Sequence, residues 1–174
     1  LFTKSQASDS LIARTNLDPI TVSGSGLKQK LSKTVSAVTV FSEEEIKSSG
    51  AKSLADFLQG RSSVEIGRNG GYGATTSFFL RGSESRNVLV LLNGVRLRDE
   101  LTQSSLAENI SLDLVDRIEV ILGNISSIYG EGAVGGVIKI TTKKGEPSDK
   151  KLITALKIEA GNYNSQNYSL VGNY

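Results

Sequence analysis

Cysteine, histidine, methionine and tryptophan are all absent from the 174 residues, and proline occurs only twice. Without cysteine there is no disulfide framework and no thiolate site, and compartment is not readable from redox usage. Without histidine the commonest metal ligand and the usual general base are missing. No apolar run approaches the roughly 20 residues that a membrane helix needs. The formal net charge is only +2 and the basic residues are scattered, so nothing marks a nucleic-acid surface. The chain starts at Leu1 with neither Met nor a signal-peptide pattern, and it reads as a mature form or a fragment.

What is present is a globular, loop-rich composition, with 38% hydrophobic residues, 22% charged residues and 18 glycines. The length suits one domain with an appendage. The organising stretch is Asp116 to Thr142. Ile118, Val120 and Ile121 mark a strand that Gly123 ends, Asn124 is placed to cap a short turn through Tyr129, and Gly130 stops it. Val137, Ile138 and Ile140 resume a strand after a glycine-rich bend. Gly130, Gly132 and Gly135 spell G-x-G-x-x-G, the dinucleotide fingerprint, which requires a strand before it and a helix after it. Here the order is reversed, so a nucleotide-binding enzyme is the weaker alternative.

The N-terminal residues 1–17 are polar and aperiodic and read as a mobile segment. Asp18, Pro19, Ile20, Thr21, Val22 and Ser23 form a short extended stretch released by Gly24-Ser25-Gly26. It is either an edge strand of its own domain or a strand that adds to a partner's sheet. Val35 to Phe41 is a β-run. Ser42 and Glu45 then form a capping box, with Phe41 and Ile46 placed as a hydrophobic staple. A second helix from Ser53 presents Leu54, Phe57 and Leu58 to a core before Gly60.

The loop Asn69-Gly70-Gly71-Tyr72-Gly73-Ala74-Thr75-Thr76 is a plain connection or a contact loop. Tyr72 would offer a flat face, and Asn69, Thr75 and Thr76 hydrogen bonds. Ser77 to Arg81 returns as a strand. Val88 to Leu92 is wholly apolar and predicts a buried strand, and Asn93-Gly94 predicts a type I′ hairpin turn. Asp99 to Ser111 is longer than an ordinary connection and favours a functional loop. Gly145 to Lys151 reads as a linker.

Beyond the linker, Leu156, Ile158 and Ala160 alternate with Lys157 and Glu159, and Tyr168 and Leu170 alternate with Ser169. The period-two pattern fits either a membrane β-barrel hairpin or an amphipathic hairpin packed on a soluble domain. No nucleophile-plus-base arrangement appears, and Glu43-Glu44-Glu45 reads as a solvated first helical turn rather than a metal site.

Taken in order, these pieces resemble the plug domain of TonB-dependent outer-membrane receptors with the start of the barrel attached. Asp18 to Ser23 looks like the TonB box. Leu80-Arg81-Gly82, Val88 through Val95, Asp116-Arg117-Ile118-Glu119-Val120 and Tyr129-Gly130 through Thr142 resemble the family's R-G, V-L-V-L-x-D/N-G-V, R-I-E-V and Y-G-x-x-A-x-G-G-V-I motifs. The loop RNGGYGATTSFFLRG and the terminal hairpin are most similar to the cobalamin (vitamin B12) receptors of the family.

The resemblance implies an α+β fold. A small mixed-sheet plug with short helices would occupy residues 27–145, after the box and linker at 18–26. The first hairpin of an incomplete transmembrane β-barrel would follow at 146–174.

It further implies a transport receptor, not an enzyme, in the bacterial outer membrane, with no cofactor and no bound metal. The partners would be a TonB-like inner-membrane energy transducer, a nutrient ligand (cobalamin or an iron-siderophore) and the protein's own barrel. Asn69, Gly70, Gly71, Tyr72, Gly73, Thr75 and Thr76, with Arg98, Asp99, Gln103 and Ser104 of the second loop, would face the ligand. Arg81, Arg117 and Glu119 would contact the barrel.

Two positions depart from the family's habit. Leu122-Gly123-Asn124 stands where R-G-P is usual, and Ser62-Ser63-Val64 where P-G-V is usual. A non-transport binding or adhesion module is the runner-up reading.

Overall fold

The computed structural model describes residues 20–22, 28–30, 37–71, 73–99, 101, 104–108, 110–144, 153–160 and 166–173. In chain order the elements are β1 (Ile20–Val22), β2 (Lys28–Lys30), β3 (Ala37–Ser42), α1 (Glu43–Ser48), α2 (Leu54–Leu58), β4 (Val64–Arg68), β5 (Thr76–Leu80), β6 (Val88–Leu92), β7 (Val95–Arg96), β8 (Val115–Leu122), α3 (Ser126–Tyr129), β9 (Gly136–Thr142), β10 (Ile153–Ala160) and β11 (Gln166–Asn173).

Five strands form the central sheet in the order β3-β8-β9-β6-β7, and β6 with β9 is its parallel pair. The sheet is therefore mixed, as the resemblance implies. Three antiparallel pairs stand apart from it: β1–β2, β4–β5 and β10–β11.

The apolar run of β6 follows from burial on both faces. Val88 and Val90 join Ile118 and Val120 of β8 and Ile138 and Ile140 of β9 in the larger core. Leu89 and Leu91 join Ile121 and Val137 in a second core on the other face. A strand covered on both sides loses the alternation of a half-exposed one.

The larger core is closed by Ile46 of α1, by Leu54, Phe57 and Leu58 of α2, and by Val64, Phe78 and Leu80 of the β4–β5 pair. The capping box starts α1 as predicted: the Glu45 amide donates to Ser42 Oγ at 3.3 Å, and the Ser42 amide donates to Glu45 Oε2 at 2.8 Å. The Phe41 ring meets Phe57 edge-on at 5.1 Å between centroids, and the Arg61 guanidinium lies 4.6 Å over the Phe57 ring.

The second core is closed by the glycine-rich bend, through Ile125, Ala133 and Tyr129. The bend folds back on itself, with the Ile125 amide donating to Ala133 O at 3.0 Å, and is tied to the start of β6 by the Gly135 amide donating to Asn87 O at 2.8 Å. Asn124 stands one position before the cap of α3, which is Ile125. Its Oδ1 accepts from the Ser126 amide and hydroxyl, an Asx turn that leads into the helix instead of capping it.

Asn93 and Gly94 both have positive φ, 50° and 88°, as a type I′ turn demands. The Asn93 side chain also ties this turn to β9: its amide donates to Thr142 Oγ1 at 2.8 Å, and its carbonyl accepts from the Thr142 amide at 3.0 Å. Ser62 and Ser63 take φ of 49° and 57°, values closed to proline, so the turn before β4 cannot be built as P-G.

Candidate functional site

The first loop connects β4 to β5, whose register runs from Val64 opposite Leu80 to Arg68 opposite Thr76. The Asn69 amide donates to Thr75 O at 3.2 Å and the Ala74 amide to Gly71 O at 3.2 Å, so the loop closes on its own backbone. Its base is fixed to α2: the Arg68 guanidinium pairs with Asp56 Oδ1 at 3.0 Å, and the Ser53 hydroxyl donates to Asp56 Oδ2 at 2.7 Å. The Ser53 hydrogen bond, and after it Arg68, hold the Asp56 carboxyl below its ordinary range against the opposing effect of burial.

The second loop leaves β7 with the Leu97 amide donating to Val90 O at 2.9 Å. Arg98 and Ser105 form an isolated antiparallel bridge, and the Asp99 amide donates to Ser104 O at 2.9 Å. Leu101 is 94% exposed, while Ala107 is buried and anchors the return. The Ser105 hydroxyl then donates to Thr76 O at 3.1 Å, which joins the two loops 29 positions apart in sequence.

Several predicted residues therefore share one surface. Asn69, Gly70, Gly71, Gly73 and Thr75 are exposed, and Asp99 and Ser104 are half-buried beside them in the joined loops. Thr76 is different: it is buried, and its hydroxyl donates to Ala74 O at 3.0 Å. Arg98 donates to Arg86 O at 2.8 Å, and its guanidinium lies where a Cβ on Gly132 would meet it at 2.6 Å, so it braces the glycine-rich bend. Tyr72 and Gln103 lie outside the described residues. Among the described residues, Ser105, which no sequence motif singled out, couples the loops.

Of the three residues expected at a barrel, Arg81 is exposed at φ 51° in a tight turn with Gly82, closed by the Ser83 amide donating to Leu80 O at 2.9 Å. Arg117 is partly exposed, and its Nη2 pairs with Glu119 Oε1 at 3.0 Å. Glu119 itself is enclosed, at 0% exposure, with Lys139 Nζ 2.9 Å from its other oxygen. Burial inside the sheet directs that carboxylate to the chain's own cations. Burial, and after it the Glu119 charge, pushes the Tyr129 phenol above its ordinary range.

The G-x-G-x-x-G glycines serve close packing. A Cβ on Gly130 would come within 2.6 Å of the Arg96 guanidinium, which donates to Tyr129 O and to Glu131 O. With α3 before the glycines and β9 after them, no helix N-terminus is presented to a phosphate.

The family pattern described as TonB-dependent Receptor Plug Domain matches residues 30–137. The chain belongs to the TonB-dependent receptor plug family. The match runs from the end of β2 to the start of β9, so it covers β3, β6, β7 and β8 of the central sheet, both loops and the glycine-rich bend. This is a receptor family rather than an enzyme family.

The plug is 34% identical over 137 residues to the vitamin B12 transporter BtuB of Vibrio vulnificus, covering 79% of this chain and 22% of that protein. It is 37% identical over 126 residues to BtuB of Vibrio cholerae, covering 72% of this chain and 21% of that protein. It also superposes on the siderophore receptor PiuA from Acinetobacter baumannii with a TM-score of 0.62 and 28% identity, covering 82% of this chain and 19% of that chain. The chain thus spans about a fifth of the length of the relatives it matches.

Proposed function

We propose that the chain is the plug, with the first barrel hairpin, of a receptor in the bacterial outer membrane that takes up a scarce nutrient. The nutrient class is a cobalamin or a ferric siderophore, as the names of the relatives suggest. The observation that carries the reading is the joining of two long loops by Ser105 and Thr76 at one surface of a plug-family sheet. Asn69 to Thr75, Asp99 and Ser104 would meet the ligand there, with Tyr72 and Gln103 from the same loops. No catalysis is assigned to this surface; it binds and gates.

The terminal hairpin supports the barrel part of the reading. Leu156 lies opposite Leu170 and Ile158 opposite Tyr168, and these four side chains are 64–72% exposed. A contiguous apolar stripe of this kind on a two-stranded pair is disfavoured in water and suits a lipid-facing barrel wall. Arg81 and Arg117 would meet barrel carboxylates, with Glu119 holding Arg117 from inside the plug. Asp18 to Ser23 would be gripped by an inner-membrane energy transducer through strand addition.

A binding screen of the full-length receptor against cyanocobalamin and a panel of ferric siderophores tests the assignment. One of these ligands is expected to bind, and replacing residues 69–75 with a glycine-serine linker is expected to weaken it about tenfold or more. Equal binding by the loop-replaced receptor would remove the site.

A further inference from the structure

The G-x-G spacing of the bend is matched by two arginines of the same spacing on the neighbouring chain. Arg96, Leu97 and Arg98 run out of β7, the short edge strand that pairs with β6 at Leu91–Arg96 and Leu92–Val95. Side chains alternate along extended chain. Leu97 packs against the larger core, and Arg96 and Arg98 meet the glycine-rich bend, which covers the other face. The Arg96 guanidinium lies against Gly130 and the Arg98 guanidinium against Gly132; a Cβ on either glycine would meet a guanidinium nitrogen at 2.6 Å. Arg96 donates to Tyr129 O and Glu131 O, on either side of Gly130, and Arg98 donates to Arg86 O, just before β6.

We infer that Arg98, seconded by Arg96, is a positioning residue for nutrient binding: it latches the root of the second ligand loop onto the glycine-rich bend and does not contact the nutrient. The inference rests on the reading of the two loops as the nutrient surface. Arg98 opens the second loop and bridges Ser105 on its return, and the Ser105 hydroxyl reaches Thr76 O at the base of the first loop. A hold on Arg98 is therefore a hold on both loops. A two-residue edge strand supplies little backbone pairing of its own, and hydrogen bonds from a charged donor are stronger than neutral ones. The planar guanidinium fork suits the two carbonyls that flank Gly130. A loop root fixed before the encounter lowers the ordering cost that binding must meet.

A double-mutant cycle tests the latch in the full-length receptor, with parent, Arg98→Ala, Gly132→Ala and the double variant. Gly132→Ala changes no loop side chain, and its backbone strain at φ +85° is present with and without Arg98, so it cancels in the cycle. Amide exchange is followed by mass spectrometry without nutrient. Arg98→Ala is expected to speed exchange about tenfold in segments 99–108 and 126–135, with β8 and α2 at parental rates. In segment 99–108 the double variant is expected to exchange no faster than Arg98→Ala alone. The four receptors are also titrated with cyanocobalamin. Arg98→Ala and Gly132→Ala are expected to lose affinity by the same factor, about tenfold, and the double variant no more.

Parental exchange of segment 99–108 in Arg98→Ala would overturn the inference, because the arginine would then act only on bound nutrient. Faster exchange throughout the plug would overturn it too, since the arginine would then serve the whole fold. Affinity losses that add in the double variant would also overturn it. A parent receptor that binds no cyanocobalamin removes cobalamin as the nutrient, and the exchange of Arg98→Ala then decides the latch by itself, as it does where Gly132→Ala fails to fold.

Discussion

Gly136 shows how much a single position can carry in this plug. It opens β9 at φ +152°, and a Cβ there would meet the Ile121 carbonyl oxygen at 2.5 Å and the Leu80 side chain at 2.7 Å. The first obstacle is backbone in the neighbouring strand, which cannot step aside. Gly136→Ala is therefore expected to destabilise the plug by about 3 kcal/mol in urea unfolding; a loss near zero would mean that β8 and β9 are not this closely packed.

Asp56 sets a pH dependence of known sign. Its carboxyl is lowered from 3.8 on folding, chiefly by the Ser53 hydrogen bond and then by Arg68. A lowered carboxyl adds stability above its ordinary pKa, and this is lost as pH falls through the folded value. Solvent screens part of the effect, because the side chain is 37% exposed. Asp56→Asn should flatten the fall in urea midpoint below about pH 4, and an unchanged acid limb would show that the Ser53–Asp56–Arg68 cluster is not formed.

At the scale of elements, α1 has only six residues and depends on its ends. Ser42 and Glu45 satisfy two amides that the helix cannot. Lys143, just beyond β9, reaches Glu43 Oε1 at 3.0 Å, and this exposed pair contributes little beside the cap. Ser42→Ala should cost about 1 kcal/mol, with faster amide exchange confined to α1 and its contacts on β3. Exchange that quickens throughout the plug would mean that α1 is integral to the central sheet's cooperativity.

The same scale shows what could be read in advance. The capping box, the α2 core residues, the apolar β6 and the Asn93-Gly94 turn are local signals, each written within a few residues, and the structure has them where the residues place them. What was not legible depends on register between distant segments. The pairing of Glu119 with Lys139, and the bond from Ser105 to Thr76, exist only once strands and loops are assembled. Arg98 reads as a polar loop residue, yet the fold turns it onto Arg86 O and Gly132.

At the scale of the whole molecule, the plug is a mixed sheet sealed by helices on one face and a glycine-rich bend on the other, with its two long loops joined at one surface. The paired strand β1 and the apolar hairpin β10–β11 lie before and after the central sheet in the chain, and in the proposed function they meet the transducer and the lipid. That account makes transport depend on a segment remote in sequence from the ligand loops.

The most direct test is to delete residues 18–23 from the full-length receptor and to measure ligand binding and energised uptake in the same cells, with the ligand identified by the screen. Binding is predicted to remain at the parental level while energised uptake falls about a hundredfold, to passive leakage. Energised uptake unchanged by the deletion would contradict the account.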